Sequence, residues 1–176
     1  MKPAFTIRSA TETDLPIIVN FIRELADYEK LLHEVTATED LIRKNLFGAK
    51  RHAEVILAQE GTECAGFALF FHNFSTFVGK PGIFLEDLYV RPDFRGRGYG
   101  KALMVYLARL AGERDCGRFE WSVLDWNRPS LDFYRSLGAI PMDQWTTQRV
   151  VGPALTALAN QALPGENGAP LVKPKT

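Results

Sequence analysis

The sequence predicts a mixed α/β domain with a mostly antiparallel sheet flanked by helices, and three observations carry that expectation. Three apolar strand-like runs follow one another between residues 53 and 90 with only short turns between them, as antiparallel neighbours do. The unit from Ile83 to Leu124 then reads strand, helix, strand, which points to a parallel pair. Helical stepping of apolar residues appears only outside those runs. The order is strand, two helices, three strands, helix, strand, helix, and then one or two strands.

Each element has its own signal. Ala4 to Arg8 alternates and forms a first strand. Thr11 stands where a helix cap belongs, and Leu15, Ile18, Val19, Ile22 and Leu25 step by three and four along one helical face. Thr38 precedes EDLIRKNLF, a short helix ended by Gly48. AEVILAQE, CAGFALFFHNF and GIFLEDLYV are the consecutive strands, the second interrupted near Asn73 and the last ended by Pro92. Tyr99 to Arg114 is a long helix with Leu103, Tyr106, Leu107, Leu110 and Ala111 turned inward. Arg118 to Leu124 is a strand, and Asn127 caps the helix PSLDFYRSL before Gly138. A final strand pair is expected at Ala139–Met142 and Trp145–Val151, with a small helix over 153–163. One domain over 1–163 follows, and the Pro- and Gly-rich residues 164–176 read as a loose tail.

Bulk properties narrow the function classes. A chain of 176 residues suffices for one proper core. Lys plus Arg and Asp plus Glu number 21 each, so no basic excess marks a nucleic-acid partner. No run approaches the roughly 18 apolar residues of a membrane span, and the N-terminus lacks a targeting pattern. A cytoplasmic location follows. Cys64 and Cys116 are far apart and read as buried, reduced thiols. His33, His52 and His72 form no ligand spacing, so no metal is expected.

The chemistry concentrates in RPDFRGRGYGKAL, residues 91–103. Glycines 96, 98 and 100 occupy alternate positions where a strand becomes a helix. Glycine lets the backbone approach a ligand closely. The first N–H groups of a helix lack intrahelical partners and carry the positive end of its dipole. Together they form an anion site, with Arg91, Arg95, Arg97 and Lys101 around it. The competing reading is a flexible, solvated turn. A phosphate-binding Walker loop fails here, because Arg95 stands where its first glycine belongs and Ala102 where its Ser or Thr belongs. A dinucleotide fingerprint fails as well, since its last two glycines are one residue too close.

Arg95-Gly96-Arg97-Gly98-Tyr99-Gly100 does match the R/Q-x-x-G-x-G/A loop, and WNRPSLDFYRSLGA follows it as N-x-x-S-x-x-F-Y-x-x-x-G. On this pair of motifs the chain resembles the GNAT superfamily of acetyl-CoA-dependent N-acetyltransferases over about residues 4–150. RELADYEK, FLEDLYV and WNRPSLDFY narrow the resemblance to the spermidine/spermine (diamine) branch, whose members acetylate small amines such as polyamines or thialysine.

The resemblance implies acetyl-CoA as co-substrate and no metal. It implies that Gly96 to Lys101, with Arg95, hold the pyrophosphate, and that the backbone of Leu88, Tyr89 and Val90 pairs with the pantetheine arm along a splayed strand edge. One of those N–H groups would polarise the thioester carbonyl. Asn127 and Ser130 would contact the CoA arm. Tyr134 would protonate the leaving thiolate, although Leu131, Tyr134 and Leu137 also have the spacing of a core face. Glu86 would bind the substrate ammonium and relay its proton, unless a salt bridge occupies it. Glu86 and Asp87 are adjacent in a strand, so only one need reach the cleft. Tyr28 and Glu29 would line the amine end, or else stand as a solvated helix end. The branch usually pairs as homodimers, and PALTALANQAL offers an apolar stretch for that contact.

Met142-Asp143-Gln144-Trp145 departs from the acidic pattern common in the branch, which counts against a long, multiply charged polyamine. Two alternatives stand beside the small amine: a protein or peptide acceptor, and a non-catalytic acyl-CoA binding module.

Overall fold

The computed structural model describes residues 3–161, in two compact units that meet in sequence between Trp126 and Asn127. The first unit holds β1 (Phe5–Ser9), α1 (Leu15–Tyr28), α2 (Glu39–Phe47), β2 (Glu54–Glu60), β3 (Glu63–Ser75), β4 (Lys80–Val90), α3 (Tyr99–Glu113) and β5 (Phe119–Trp121). The five strands form one sheet in the order β1-β2-β3-β4-β5, antiparallel except for the parallel β4–β5 pair. The mixed sheet expected from the sequence is therefore present.

Local chemistry sets the ends of these elements. Thr11 opens a single 3-10 turn, Glu12–Asp14, before α1 begins. Asp14 closes that turn by accepting from the Thr11 N–H at 2.8 Å, and Arg8 grips the same carboxylate at 2.6 and 2.7 Å. The Arg8 guanidinium holds the Asp14 carboxyl well below the usual carboxylate range. The Thr38 hydroxyl caps α2 by accepting from the Leu41 N–H at 3.3 Å.

Strand register decides which side chains meet which helices. Ile18, Phe21 and Leu25 of α1 and Leu46 of α2 pack on Val55, Leu57, Phe67 and Tyr89. The Phe21 and Phe67 rings stack with centroids 5.3 Å apart. The alternate strand residues, Ile56, Ala68, Phe70 and Leu85, face the opposite way, toward α3 with its buried Leu103 and Leu107.

Two departures from regular pairing matter. At the first, Leu69 pairs with Asp87 and Phe70 with Leu85, which leaves Glu86 as an extra residue in β4. At the second, pairing between β4 and β5 stops at Leu85 opposite Trp121. The strand expected over Arg118–Leu124 is thus only Phe119–Trp121. Beyond the bulge β4 follows β3 and leaves β5, so residues 122–124 have no ladder to join.

The second unit contains α4 (Arg128–Ser136) and α5 (Gly152–Ala159). The strand pair expected at Ala139–Met142 and Trp145–Val151 is absent from the described residues. Pro141 has no N–H to donate, a turn closes from Trp145 N–H to the Met142 carbonyl at 3.0 Å, and Ile140 and Trp145 are 80% and 71% exposed. Apolar alternation there has no partner strand. The small helix is shorter than the expected 153–163, and the tail at 164–176 lies outside the described residues. Cys64 and Cys116 are free but only partly buried, not enclosed as expected. Among the described residues no helix is long and apolar enough to cross a membrane.

Gly66 fixes the distance between β3 and β4, because a Cβ there would lie 2.3 Å from the Tyr89 carbonyl oxygen. Backbone on both sides cannot yield cheaply. Gly66→Ala is expected to cost about 1–3 kcal/mol, seen as a lower urea midpoint at unchanged slope.

Candidate active site

β4 supplies the first part of the site. From Glu86 to Val90 it is laddered to β3 only, so its other edge presents backbone N–H and C=O groups without strand partners among the described residues. Leu88, Tyr89 and Val90 lie on this stretch. Tyr89 turns its ring into the α1 core and is buried, and its carbonyl oxygen points toward Gly66 of β3.

The chain then runs through one 3-10 turn, Pro92–Phe94, into the glycine loop. Gly96 and Gly98 have φ of 74° and 86°, left-handed values that suit glycine, and a Cβ on either would meet nothing within 4 Å. The space beside them is open to a ligand. The Ala102 N–H is the first to find its helical acceptor, the Gly98 carbonyl at 2.9 Å. The N–H groups of Tyr99, Gly100 and Lys101 therefore precede the ladder of α3 and form its positive end.

The loop's cations divide their duties. Arg91 pairs with Glu24 at 3.0 Å and lies over the Phe21 ring. Arg97 pairs with Glu60 at 2.7 Å and donates to the Asp93 carbonyl. The Tyr99 hydroxyl also donates to Glu60, and its ring stacks on Phe5 with centroids 4.2 Å apart. Arg91 braces the loop against α1, and Arg97 and Tyr99 brace it against the sheet. Arg95 donates from Nε to the Val90 carbonyl at 2.9 Å while its guanidinium lies 4.9 Å from the Tyr28 ring centroid and 5.7 Å from that of Tyr89. Lys101 is exposed at the helix start.

Carboxyl groups gather at the root of the open edge. The bulge at Glu86 places Asp87 opposite Leu69, on the face of α1, even though Leu85 two residues earlier faces α3. Asp87 is pushed up to about 7, first by withdrawal from water and then by the charges of Glu86 and Glu29. Burial also raises Glu29, the residue just past α1. Glu86 itself is exposed. Tyr28 stands beside them, its ring 6.4 Å from that of Trp126. Asp87 thus feels the charges of both Glu86, its neighbour in β4, and Glu29, which directly follows Tyr28 at the end of α1. Period-two alternation hid Asp87, because a strand without a bulge would have kept it on the face of Leu85.

The second unit carries the remaining candidates on α4. Asn127 is 5% exposed and its side chain accepts from the Ser130 N–H at 3.3 Å, so it caps the helix. Tyr134 is partly buried with its ring against Phe133. Among the described residues no three His, Cys, Asp or Glu side chains are grouped to hold a metal ion.

A strand edge here opens into a glycine loop at a helix N-terminus, with Glu86 and Asp87 at its root. The chain belongs to the acetyltransferase (GNAT) family, whose model matches residues 19–139. GNAT acetyltransferases use acetyl-CoA generally. The chain is 35% identical over 166 residues to thialysine N-epsilon-acetyltransferase of Sus scrofa, covering 88% of this chain and 97% of the relative. It is 29% identical to L-ornithine N5-acetyltransferase of Arabidopsis thaliana, covering 86% of each. Among solved structures, an integron cassette protein from the mobile metagenome of V. cholerae superposes with a TM-score of 0.76 at 28% identity, over 89% of this chain and 98% of that one.

Asp87 also leaves a signature on stability. Its carboxyl keeps a proton up to about pH 7 in the folded state, whereas an ordinary value of 3.8 describes the unfolded chain. Between those values the unfolded state binds fewer protons, so raising the pH favours unfolding. The wild type should lose about 1–3 kcal/mol between pH 5 and pH 8 relative to Asp87→Asn, measured by urea unfolding at both values.

Proposed function

We propose that the chain transfers the acetyl group of acetyl-CoA to a primary amine of a small molecule, a polyamine, diamine or thialysine-like compound, by direct attack within a ternary complex. The observation that carries this reading is Asp87, a carboxyl poised near neutrality among Glu29 and Glu86 where β4 parts from β5. The names of the relatives support the acceptor class, since they act on thialysine and ornithine.

The loop fits a CoA pyrophosphate by its open space and its unladdered N–H groups, and the β4 edge fits an extended pantetheine arm. At neutral pH the amine arrives as an ammonium, and the carboxylates of Glu29 and Glu86 attract it. Once ionised, Asp87 takes its proton, directly or through water. The freed nitrogen lone pair forms the new C–N bond at the thioester carbonyl, and a β4 N–H steadies the oxygen charge. The C–S bond breaks, and the thiolate takes a proton from Tyr134, the role its place in the FY motif implies. Arg95, Asn127 and Ser130 hold the donor in this scheme. We also expect a homodimer in the cytoplasm: α5 leaves Leu155 and Leu158 exposed, and Cys64 and Cys116 are unpaired.

Release of CoA thiol from acetyl-CoA should follow addition of one or more small amines. The value of kcat/KM should rise with pH through about 7, as Asp87 loses its proton in the free enzyme. Asp87→Asn should lower it roughly 100-fold or more and remove that inflection, and Tyr134→Phe should lower kcat by a similar factor. Measurable CoA binding with no thiol release from any acceptor would instead favour a binding module.

A further inference from the structure

The helix α1 ends without a glycine. Its left-handed closing position is held by Lys30, at φ 63°. The Leu31 N–H reaches back to the Ala26 carbonyl at 2.7 Å and the Lys30 N–H to the Asp27 carbonyl at 3.0 Å, the bonds of a glycine-type helix stop. A residue with a Cβ is strained in this conformation. The conformation sends the lysine side chain to Trp126, where Nζ stands 5.7 Å from the ring centroid. Trp126 is 50% exposed. Its ring continues the wall begun by Tyr28, and Arg95 covers Tyr28 from the loop side.

Lys30 makes no ion pair among the described residues, although Glu29 precedes it. The amine end of the site therefore has two electrostatic zones. In the proposed function, Glu29 and Glu86 form a negative root, beside Asp87, that takes the reacting ammonium. The Tyr28–Trp126 pair leads from Arg95, over the Tyr28 ring, to Lys30, over the Trp126 ring. An acceptor held by its reacting amine extends its other end along that wall toward Lys30.

We infer that Lys30 is a specificity-determining residue, which selects acceptors carrying a carboxylate at the end remote from the reacting amine. This rests on reading the site as that of an amine acetyltransferase. An ω-amino acid presents a carboxylate to Lys30, with its α-ammonium charge balanced. A diamine of the same length presents a second, unbalanced ammonium and is repelled. Trp126 is a positioning residue: its ring face holds the lysine ammonium at the rim and away from Glu29.

Matched acceptors isolate this charge. Lysine and 1,5-diaminopentane differ only by the carboxylate, as do ornithine and 1,4-diaminobutane. With full-length enzyme and saturating acetyl-CoA, kcat/KM should favour the amino acid of each pair roughly tenfold, the scale of one charge contact about 6 Å away in a partly hydrated site. The preference should shrink as salt is raised. Lys30→Glu should reverse it, with the change mainly in acceptor KM and none in KM for acetyl-CoA. Lys30→Gly, which suits the positive φ, should bring the ratio near one without loss of folding. Lys30→Arg should retain the preference.

A wild type that prefers the diamines, or ratios unchanged in the Glu and Gly variants while turnover persists, overturns the role of Lys30 and leaves acetyl transfer standing. Absence of turnover with all four acceptors and with a wider amine panel overturns both.

Discussion

β4 must satisfy two partners that cannot both be followed to its end. It is laddered to β3 along its whole length, but to β5 only as far as Leu85. The extra residue at Glu86 resolves the conflict by bending and twisting β4 while its bonds to β3 resume at Asp87. Three properties of the site follow from this one irregularity. The edge of Glu86 to Val90 is left without a strand partner among the described residues, with the Val90 carbonyl taken by Arg95. Asp87 is turned from the α3 face to the α1 face, where Glu29 stands. The strand then delivers the chain to Pro92 and the glycine loop at the start of α3. Regular pairing would have closed the edge against β5 and buried Asp87 beneath α3.

Charge in the loop is arranged around this geometry and does not stand in for it. Arg91 and Arg97 are already paired with Glu24 and Glu60, and the Arg95 guanidinium lies on aromatic faces. An anion at the loop is therefore met chiefly by backbone N–H groups at the end of a helix dipole, which need no side-chain ordering to be in place. The paired arginines contribute stiffness. In the proposed function, a chain with 21 cationic and 21 anionic side chains would hold its anionic donor mostly through dipoles, because Arg91 and Arg97 of the loop already sit in local pairs.

Much of the fold was legible because local rules held. Caps at Thr38 and Asn127, the helical stepping in α1 and α3 and the run of three strands all reappear. The glycine loop was legible for the same reason, since its residue types answer directly to backbone geometry. Asp87 was obscured by a tertiary event, a bulge that no residue in Leu85-Glu86-Asp87-Leu88 announces. Lys30 and Trp126 were passed over because a left-handed lysine has no sequence signal where glycine is the usual occupant. The strands expected beyond Gly138 failed for the opposite reason: their apolar alternation is real, but nothing in the described residues pairs with it.

A carboxyl held near neutrality is a cost that the surrounding structure must bear. Asp87 does not relax to a hydrated, ionised state because β4 is fixed on both sides of it. Tyr89 is anchored in the cluster of Phe21, Leu25, Leu57 and Phe67, and Leu85 is buried against the opposite face. Each anchor lies two residues from Asp87, one on each side of the sheet, so rotating β4 to expose the carboxyl would unbury one of them. Burying a large apolar side chain is worth about 1.5–3 kcal/mol, a large part of the roughly 4 kcal/mol that a shift from 3.8 to about 7 represents. The bulge therefore does more than aim Asp87. It ties the proton affinity of Asp87 to the two cores on either side of the sheet, so changes in packing at Tyr89 or Leu85 reach that carboxyl through the orientation of one strand.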